Sequence, residues 1–446
     1  MRRSLLVLLF AVPFSALAQP LPADVVANVE ARVEAGENEG VFVGVVGPEG
    51  TRTASFGRLA ADRAEAPDAA TLFEIGSVTK VLTALLLVEM VEHGEVILDD
   101  PIASYLPDTL DVAFGDRVTL EHLATHTSGL PRLPTNLVFE DPTDPYAAYS
   151  AEDLYAFLEG HRLEREPGAR YEYSNLGMGL LGHLLARRAG TTYEALLRER
   201  VLDPLGLDDT AVTLSTEQQA RLAPGHSDGR RTANWTFDAL GGAGALRSTG
   251  ADMLRFVGAA LGLVETPLAD DLAALQEVRG PGGEDSVAVA LGWHVRTTPN
   301  ATVTAHGGGT GGYRSFVGFD PAARRGVVVL TNSDADLQDV AYHLLDPAVP
   351  LVPPVETADV PADVLARYIG TYALAPDFVI VVTREGERLY AQATGQQAFR
   401  LYPSSETEFF LRPVEARVTF RVGEAGTVEG LTLHQNGRDM PAVKTE

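Results

Sequence analysis

Ser77 and Lys80 stand three residues apart in a chain of 446 residues whose only other lysine is Lys444. A guanidinium keeps its proton near neutral pH, whereas a desolvated lysine can give its proton up. A lysine that must act as a base is therefore one that arginine cannot replace. Leu72-Phe73-Glu74-Ile75-Gly76 leads into the step, and the apolar run from Val78 to Val91 ends at His93-Gly94. That pattern predicts a buried helix with Ser77 in its first turn and Gly94 past its end. Positions i and i+3 share a helix face, with Cβ atoms about 5–6 Å apart, so Ser77 Oγ comes within reach of Lys80 Nζ. The helix N-terminus adds positive potential and free N–H groups. Apolar packing lowers the pKa of Lys80 and favours an amine able to take the Ser77 proton. The competing explanation is chance, because S-x-x-K is short.

Two further stretches carry groups that such a serine needs. Tyr173-Ser174-Asn175 follows the turn Pro167-Gly168 and precedes a helix from Leu176 to Ala189, stopped by Gly190. In extended chain, residues i and i+2 point the same way, so Tyr173 and Asn175 can face one cleft. A phenol beside an ammonium is driven towards phenolate and can serve as a base. The Asn175 amide can bind a substrate carbonyl or hold Lys80; the plainer alternative makes Asn175 a helix N-cap. His306-Gly307-Gly308-Gly309-Thr310-Gly311-Gly312 lies between two strand-like runs. Its lack of Cβ atoms lets a ligand approach the backbone. An N–H from this edge can be the second arm of an oxyanion hole whose first arm is Ser77 N–H. The plainer alternative is a flexible hairpin turn.

S-x-x-K, Y-S-N and H-G-G occur in this order, joined by Leu123-Ala124-Thr125-His126-Thr127-Ser128-Gly129-Leu130. With these motifs the chain resembles the class C β-lactamase and penicillin-recognising serine hydrolase family, which includes D-alanine carboxypeptidases, D-aminopeptidases and esterases. The resemblance spans about residues 24–345. It implies an α/β (α+β) fold: an antiparallel sheet flanked by helices, with a helical subdomain. By that likeness Ser77 is the nucleophile, Lys80 and Tyr173 share proton transfer, and Asn175, His306, Gly308 and Gly309 bind substrate, Gly309 through its N–H. The resemblance implies no cofactor. The family's β-lactamases usually carry Lys-Thr-Gly where this chain has His306, and that lysine holds the substrate carboxylate. H-x-G is seen in D-aminopeptidases and some carboxypeptidases. The expected substrates are therefore peptidoglycan D-alanyl peptides, D-amino peptides, short esters or, poorly, β-lactams. The alternative is a penicillin- or muropeptide-binding sensor acylated without turnover, with the C-terminal region holding a ligand.

The elements that position these residues are separable by composition. Arg2-Arg3, the apolar stretch Leu5 to Leu17 and Ala16-Leu17-Ala18 read as an export signal over residues 1–18, with a periplasmic or secreted product. A large mixed domain is expected over 19–346. It opens with strands at Val41 to Val46 and Thr53 to Phe56. Further strands are expected at Leu291 to Val295, Thr302 to Ala305, Tyr313 to Phe319 and Gly326 to Leu330, before a helix near Asp336 to Leu345. Residues 347–361 are a Pro-rich linker. Residues 362–446 show short strands every 8–12 residues, the texture of a small all-β barrel.

The formal net charge of −26 argues against nucleic acid as a partner, and no later segment is long and apolar enough to predict a membrane span. There is no cysteine, so no thiolate chemistry and no cysteine-based metal site. His122 and His126 are four apart but lack the acid of H-E-x-x-H, and no metal is expected. Trp235 and Trp293 admit two readings, cleft wall or core, and core is the preferred one.

Overall fold

The computed structural model describes residues 20–445 apart from 139–140, 142, 376–377, 397, 413–415, 425 and 436. The expected export signal lies outside the described residues. Among them, no helix is long and apolar enough to cross a membrane.

The strand Gly40–Gly47 is buried almost throughout, because its two faces enter two different cores. Val41, Val43 and Val45 pack with Val25 and Val29 of the helix Ala23–Glu34 and with Val340 and Leu344 of the helix Gln338–Leu345. Phe42 and Val46 point the other way, towards the helix Gly250–Ala260 and the main core. A strand covered on both faces reads as an unbroken apolar run. Antiparallel pairing builds an eight-stranded sheet in the spatial order Gly50–Gly57, Gly40–Gly47, Arg325–Thr331, Arg314–Asp320, Thr302–Gly309, His294–Thr297, Val287–Val289, Gly280–Pro281. The helix Thr79–Glu92 is buried from Thr79 through Met90, as expected of a helix that is apolar all round. Between this helix and residue 250 the chain is mostly helix and loop. The mixed fold with a helix-flanked antiparallel sheet agrees with the expectation.

Two strand expectations are corrected. Leu291 to Trp293 is a turn, not the start of a strand, and the strand begins at His294. Gly292 sits at φ +69, a conformation that favours glycine, and a Cβ there would meet Lys80 O at 3.0 Å. Leu291 and Trp293 are buried in the core by that turn. Conversely, Gly307 to Gly309 is not loop. It continues the strand Thr302–Gly309 and pairs in register with Phe316, Ser315 and Arg314.

Eight strands between Gly370 and Lys444 close into a barrel. Its interior is filled by Tyr368, Tyr372, Leu389, Phe409, Phe420 and Leu431, with Tyr368 stacked on Phe420 at 4.0 Å between ring centroids. This packing makes the barrel interior a side-chain core. The barrel instead grips the large domain. Arg388 pairs with Glu39 at 2.6 Å, and Arg412 with Glu37 at 3.1 Å. Tyr390 donates to Asp228 O at 3.0 Å, and the Arg230 guanidinium lies 3.6 Å from the Tyr390 ring centroid. Asp228 and Gly229 cap a small hairpin, His226–Ser227 with Arg230–Arg231. Its His226 N–H is shared between Gly312 O at 3.1 Å and Asn332 O at 3.0 Å.

Candidate active site

Ser77 occupies a single 3-10 turn, Gly76–Val78, that runs directly into the helix Thr79–Glu92. Gly76 has φ +47, and a Cβ on it would stand 2.7 Å from Gly309 N and 2.8 Å from Gly309 O. Two glycines therefore let the serine turn and the edge of the sheet touch backbone to backbone. A Cβ on Gly308 would overlap Ile75 O and Ser315 Oγ, and Ser315 donates to that same Ile75 O at 2.8 Å. The glycine run is thus required by close packing against the residues that carry Ser77.

Lys80 Nζ lies 2.9 Å from Ser77 Oγ and donates to Ala243 O at 2.6 Å. The side chain is fully buried and has no carboxylate within ion-pair distance among the described residues. Burial above all, and the charge of Arg132 after it, hold the ammonium well below its ordinary value. An amine that spends one N–H on Ala243 O keeps its lone pair for the Ser77 hydroxyl proton.

Tyr173 brings its ring to 5.0 Å from Lys80 Nζ. The expectation of a phenolate is corrected here. Burial pushes the Tyr173 hydroxyl up to about 12, against the opposing pull of the Ser77 hydroxyl and Arg132. A desolvated amine and a desolvated phenol both favour their uncharged forms, so burial biases both partners towards neutrality. Three imidazoles surround the phenol, with ring centroids at 4.4 Å for His126, 6.1 Å for His306 and 6.3 Å for His294. His126 accepts from Ser174 N at 3.1 Å through Nδ1, which separates it from His122, whose Nδ1 accepts from Thr119 N. His294 is paired with Tyr171 Oη at 2.8 Å and is lowered to about 4 by burial, with Arg296 and Lys80 adding to it. His306 is lowered well below its ordinary value, chiefly by burial, and its Nε2 has no partner among the described residues. At neutral pH all three rings are uncharged.

Asn175 is the first residue of the helix Asn175–Ala189, but the cap is Ser174, whose Oγ accepts from Gly177 N at 2.8 Å. Asn175 Nδ2 donates to Tyr146 Oη at 3.1 Å and makes no bond to Lys80. Its buried Oδ1 has no partner among the described residues.

A cleft of about 490 Å³ opens over Ser77, bounded by Tyr173, His306, Gly309, Arg132 and Trp235. A smaller lobe of about 210 Å³ continues past His306 to Tyr171, Arg296 and Tyr342. Trp235 is thereby a wall of the cleft and not core, which corrects its assignment, whereas Trp293 is core. Trp235 N–H donates to Glu74 at 3.0 Å; that buried carboxylate is also bound by Asn234 at 3.0 Å and Arg247 at 3.2 Å. Arg132 was not singled out by the sequence. It follows the Thr127-Ser128-Gly129-Leu130 stretch, and its guanidinium lies 5.0 Å from the Tyr173 ring centroid. Arg314, also on the cleft, is tied to Thr310 O and Tyr313 O.

The arrangement supplies a hydroxyl, a buried amine one turn away that desolvation biases towards its uncharged form, a phenol, and backbone N–H groups from two adjoining segments. The Beta-lactamase family description matches residues 25–346, and a second, Domain of unknown function (DUF3471), matches residues 355–443. Penicillin-binding protein 4* of Bacillus subtilis (strain 168) is 28% identical over 410 residues, covering 84% of this chain and 88% of its own. The D-alanyl-D-alanine-carboxypeptidase/endopeptidase AmpH of Escherichia coli (strain K12) is 29% identical over 297 residues, covering 63% of this chain and 76% of its own. Among solved structures, the D-alanine carboxypeptidase AmpC from Burkholderia cenocepacia superposes with a TM-score of 0.63 at 26% identity, covering 72% of this chain and 97% of that one.

Proposed function

We propose, from the premise that this chain belongs to the Beta-lactamase family and is a serine hydrolase, that it cleaves amide or ester bonds through an acyl-Ser77 intermediate. The observation that carries this reading is the contact of Lys80 Nζ with Ser77 Oγ at 2.9 Å by a fully buried amine. Ser77 Oγ attacks the substrate carbonyl carbon while its proton passes to the Lys80 lone pair. Negative charge on the carbonyl oxygen is received by the N–H groups of Ser77 and Gly309, a contribution of about 3–4 kcal/mol per donor in comparable sites. The tetrahedral species then expels its amine or alcohol, which leaves with a proton supplied through Tyr173 from Lys80. Water attacks the acyl ester by the same route in reverse and restores the serine hydroxyl.

The substrate class we favour is the D-alanyl peptide, with D-amino peptides and short esters next. The names of two relatives support it, a D-alanyl-D-alanine-carboxypeptidase and a D-alanine carboxypeptidase. Buried, neutral His306 offers a substrate carboxylate no fixed charge, which weighs on β-lactams and on D-alanyl-D-alanine termini alike, so the order between them rests on the relatives' names. The product is proposed to be exported after cleavage behind Ala18. N-terminal sequencing of the protein recovered outside the cytoplasm tests that step.

The deciding assay is turnover of a D-alanyl-D-alanine peptide, p-nitrophenyl acetate and nitrocefin, with Ser77→Ala as control. Sustained release of D-alanine that disappears in Ser77→Ala is the expected result. A single stoichiometric burst on every substrate would instead identify a sensor that is acylated without turnover.

A further inference from the structure

Between the barrel and the large domain lies a second cavity, of about 790 Å³, away from Ser77. That size suits a small-molecule site. Its walls come from the loop after the first helix (Gly36, Glu39), from the segment 357–362, and from the barrel (Arg388, Arg400, Phe409). Glu39 is already satisfied, by Arg388 at 2.6 Å and Arg58 at 3.3 Å.

Arg400 is not satisfied. It is 8% exposed, yet no carboxylate lies within 4.0 Å of its guanidinium among the described residues. Nη1 donates to Gly36 O at 2.5 Å, the group rests 4.3 Å from the Tyr402 ring centroid, and buried Nε has no acceptor. Asp228, an acid beside it, instead accepts from the Arg400 backbone N at 3.4 Å and from Tyr402 Oη at 3.5 Å. A buried guanidinium without a counter-charge is costly, and native proteins leave few buried polar groups unmatched. In a chain of 61 acidic residues, 26 more than its lysines and arginines, a carboxylate for Arg400 was the easy solution. Of the acids that line the cavity, Glu39 is buried against Arg388 and Arg58, and Glu34, Asp359 and Glu387 are exposed at its rim.

We infer that this interdomain cavity binds a small zwitterion of the amino-acid or short-peptide class, its carboxylate on Arg400 and its ammonium towards the acidic rim. Because the walls belong to both domains, an occupant fastens the barrel in place. The inference does not depend on the hydrolase chemistry, and its readout is binding.

The full-length protein is titrated with alanine and alanyl-alanine, and in parallel with acetate and with ethylammonium, at constant ionic strength. Thermal unfolding and calorimetry follow the binding. A saturable rise in Tm with the zwitterions, and a smaller one with acetate, is expected. Arg400→Gln should weaken Kd at least tenfold. Ala64→Trp, a substitution at the exposed rim, should obstruct entry and decides the matter if Arg400→Gln does not fold. No rise with any zwitterion overturns the inference. So does a rise that Ala64→Trp and Arg400→Gln leave intact, since that binding belongs to the Ser77 cleft.

Discussion

Replacing Lys80 by methionine separates the chemical role of its amine from its role in packing. The side chains are similar in length, so the buried space stays filled. Arginine is a poorer choice, because it would force a permanent charge and extra volume into a fully buried site. The loss of the base should lower kcat/KM by about 10²–10⁴-fold. Stability is set by two opposed terms. Ala243 O loses its donor, at a cost of about 1–3 kcal/mol. Against this, the wild-type fold carries the penalty of keeping a lysine neutral, about 1.4 kcal/mol for each unit by which burial lowers it. Between the folded and unfolded pKa of Lys80 the unfolded chain binds the extra proton, so wild-type stability rises with pH across that window. The variant lacks this slope. In urea denaturation, wild type should therefore gain on Lys80→Met by about 1.4 kcal/mol per pH unit up to about 10.5 and no further. Hydrolysis within tenfold of wild type would refute the general-base assignment. A stability difference that does not vary with pH would refute the neutral amine.

Tyr173→Phe should lower kcat by about 10²-fold or more with little change in Tm; because the phenol ionises only near 12, wild-type pH–rate profiles should show no Tyr173 inflection at moderately alkaline pH. Arg132→Gln removes a cation that depresses Lys80, so the acidic limb of kcat/KM should move to higher pH, which a pH–rate profile reads directly. Gly308→Ala forces a Cβ into Ile75 O and Ser315 Oγ, and should cost about 1–3 kcal/mol by denaturation together with most of the activity. Arg388→Met acts on Glu39, whose carboxyl is pushed up by burial but held below its ordinary value by Arg388, His226 and Arg58 together. The stabilisation from Glu39 is full above its unfolded value near 4.5 and is lost as pH falls through the lower folded value. The variant should lose about 2–3 kcal/mol at pH 7, with Arg58 still in place, and the deficit should shrink in acid.

The parts of the site that the sequence discloses are those built by local geometry. Ser77 and Lys80 are one helical turn apart, so their contact follows from the helix, and the helix from an apolar run with a glycine at its end. The sheet strands at 41–46 and 326–330 are legible for the same reason, as valine-rich apolar stretches. What stays hidden is whatever arrives from a distance. Ala243 O has no side-chain signature, yet it takes one of the amine's two bonds. His126 and Arg132 from one loop and His294 from a distant strand converge on Tyr173, and no local pattern ties that loop to that strand. Trp235 was misassigned because an aromatic in a loop looks the same whether it fills a core or walls a cleft. Its placement depends on Glu74, reached across the fold. The phenolate expectation failed because burial of Tyr173 is a tertiary property, and it outweighs any cation that a motif can suggest.

The hairpin at His226–Arg231 has two masters. One end is held by barrel side chains through the carbonyls of Asp228 and Gly229; the other hands its His226 N–H to Gly312, where the glycine-rich border of the catalytic mouth closes. A foreign barrel spliced on behind residue 361 would inherit that obligation. Unless it brought a tyrosine and an arginine to the same two carbonyls, the graft would slacken a rim it never touches.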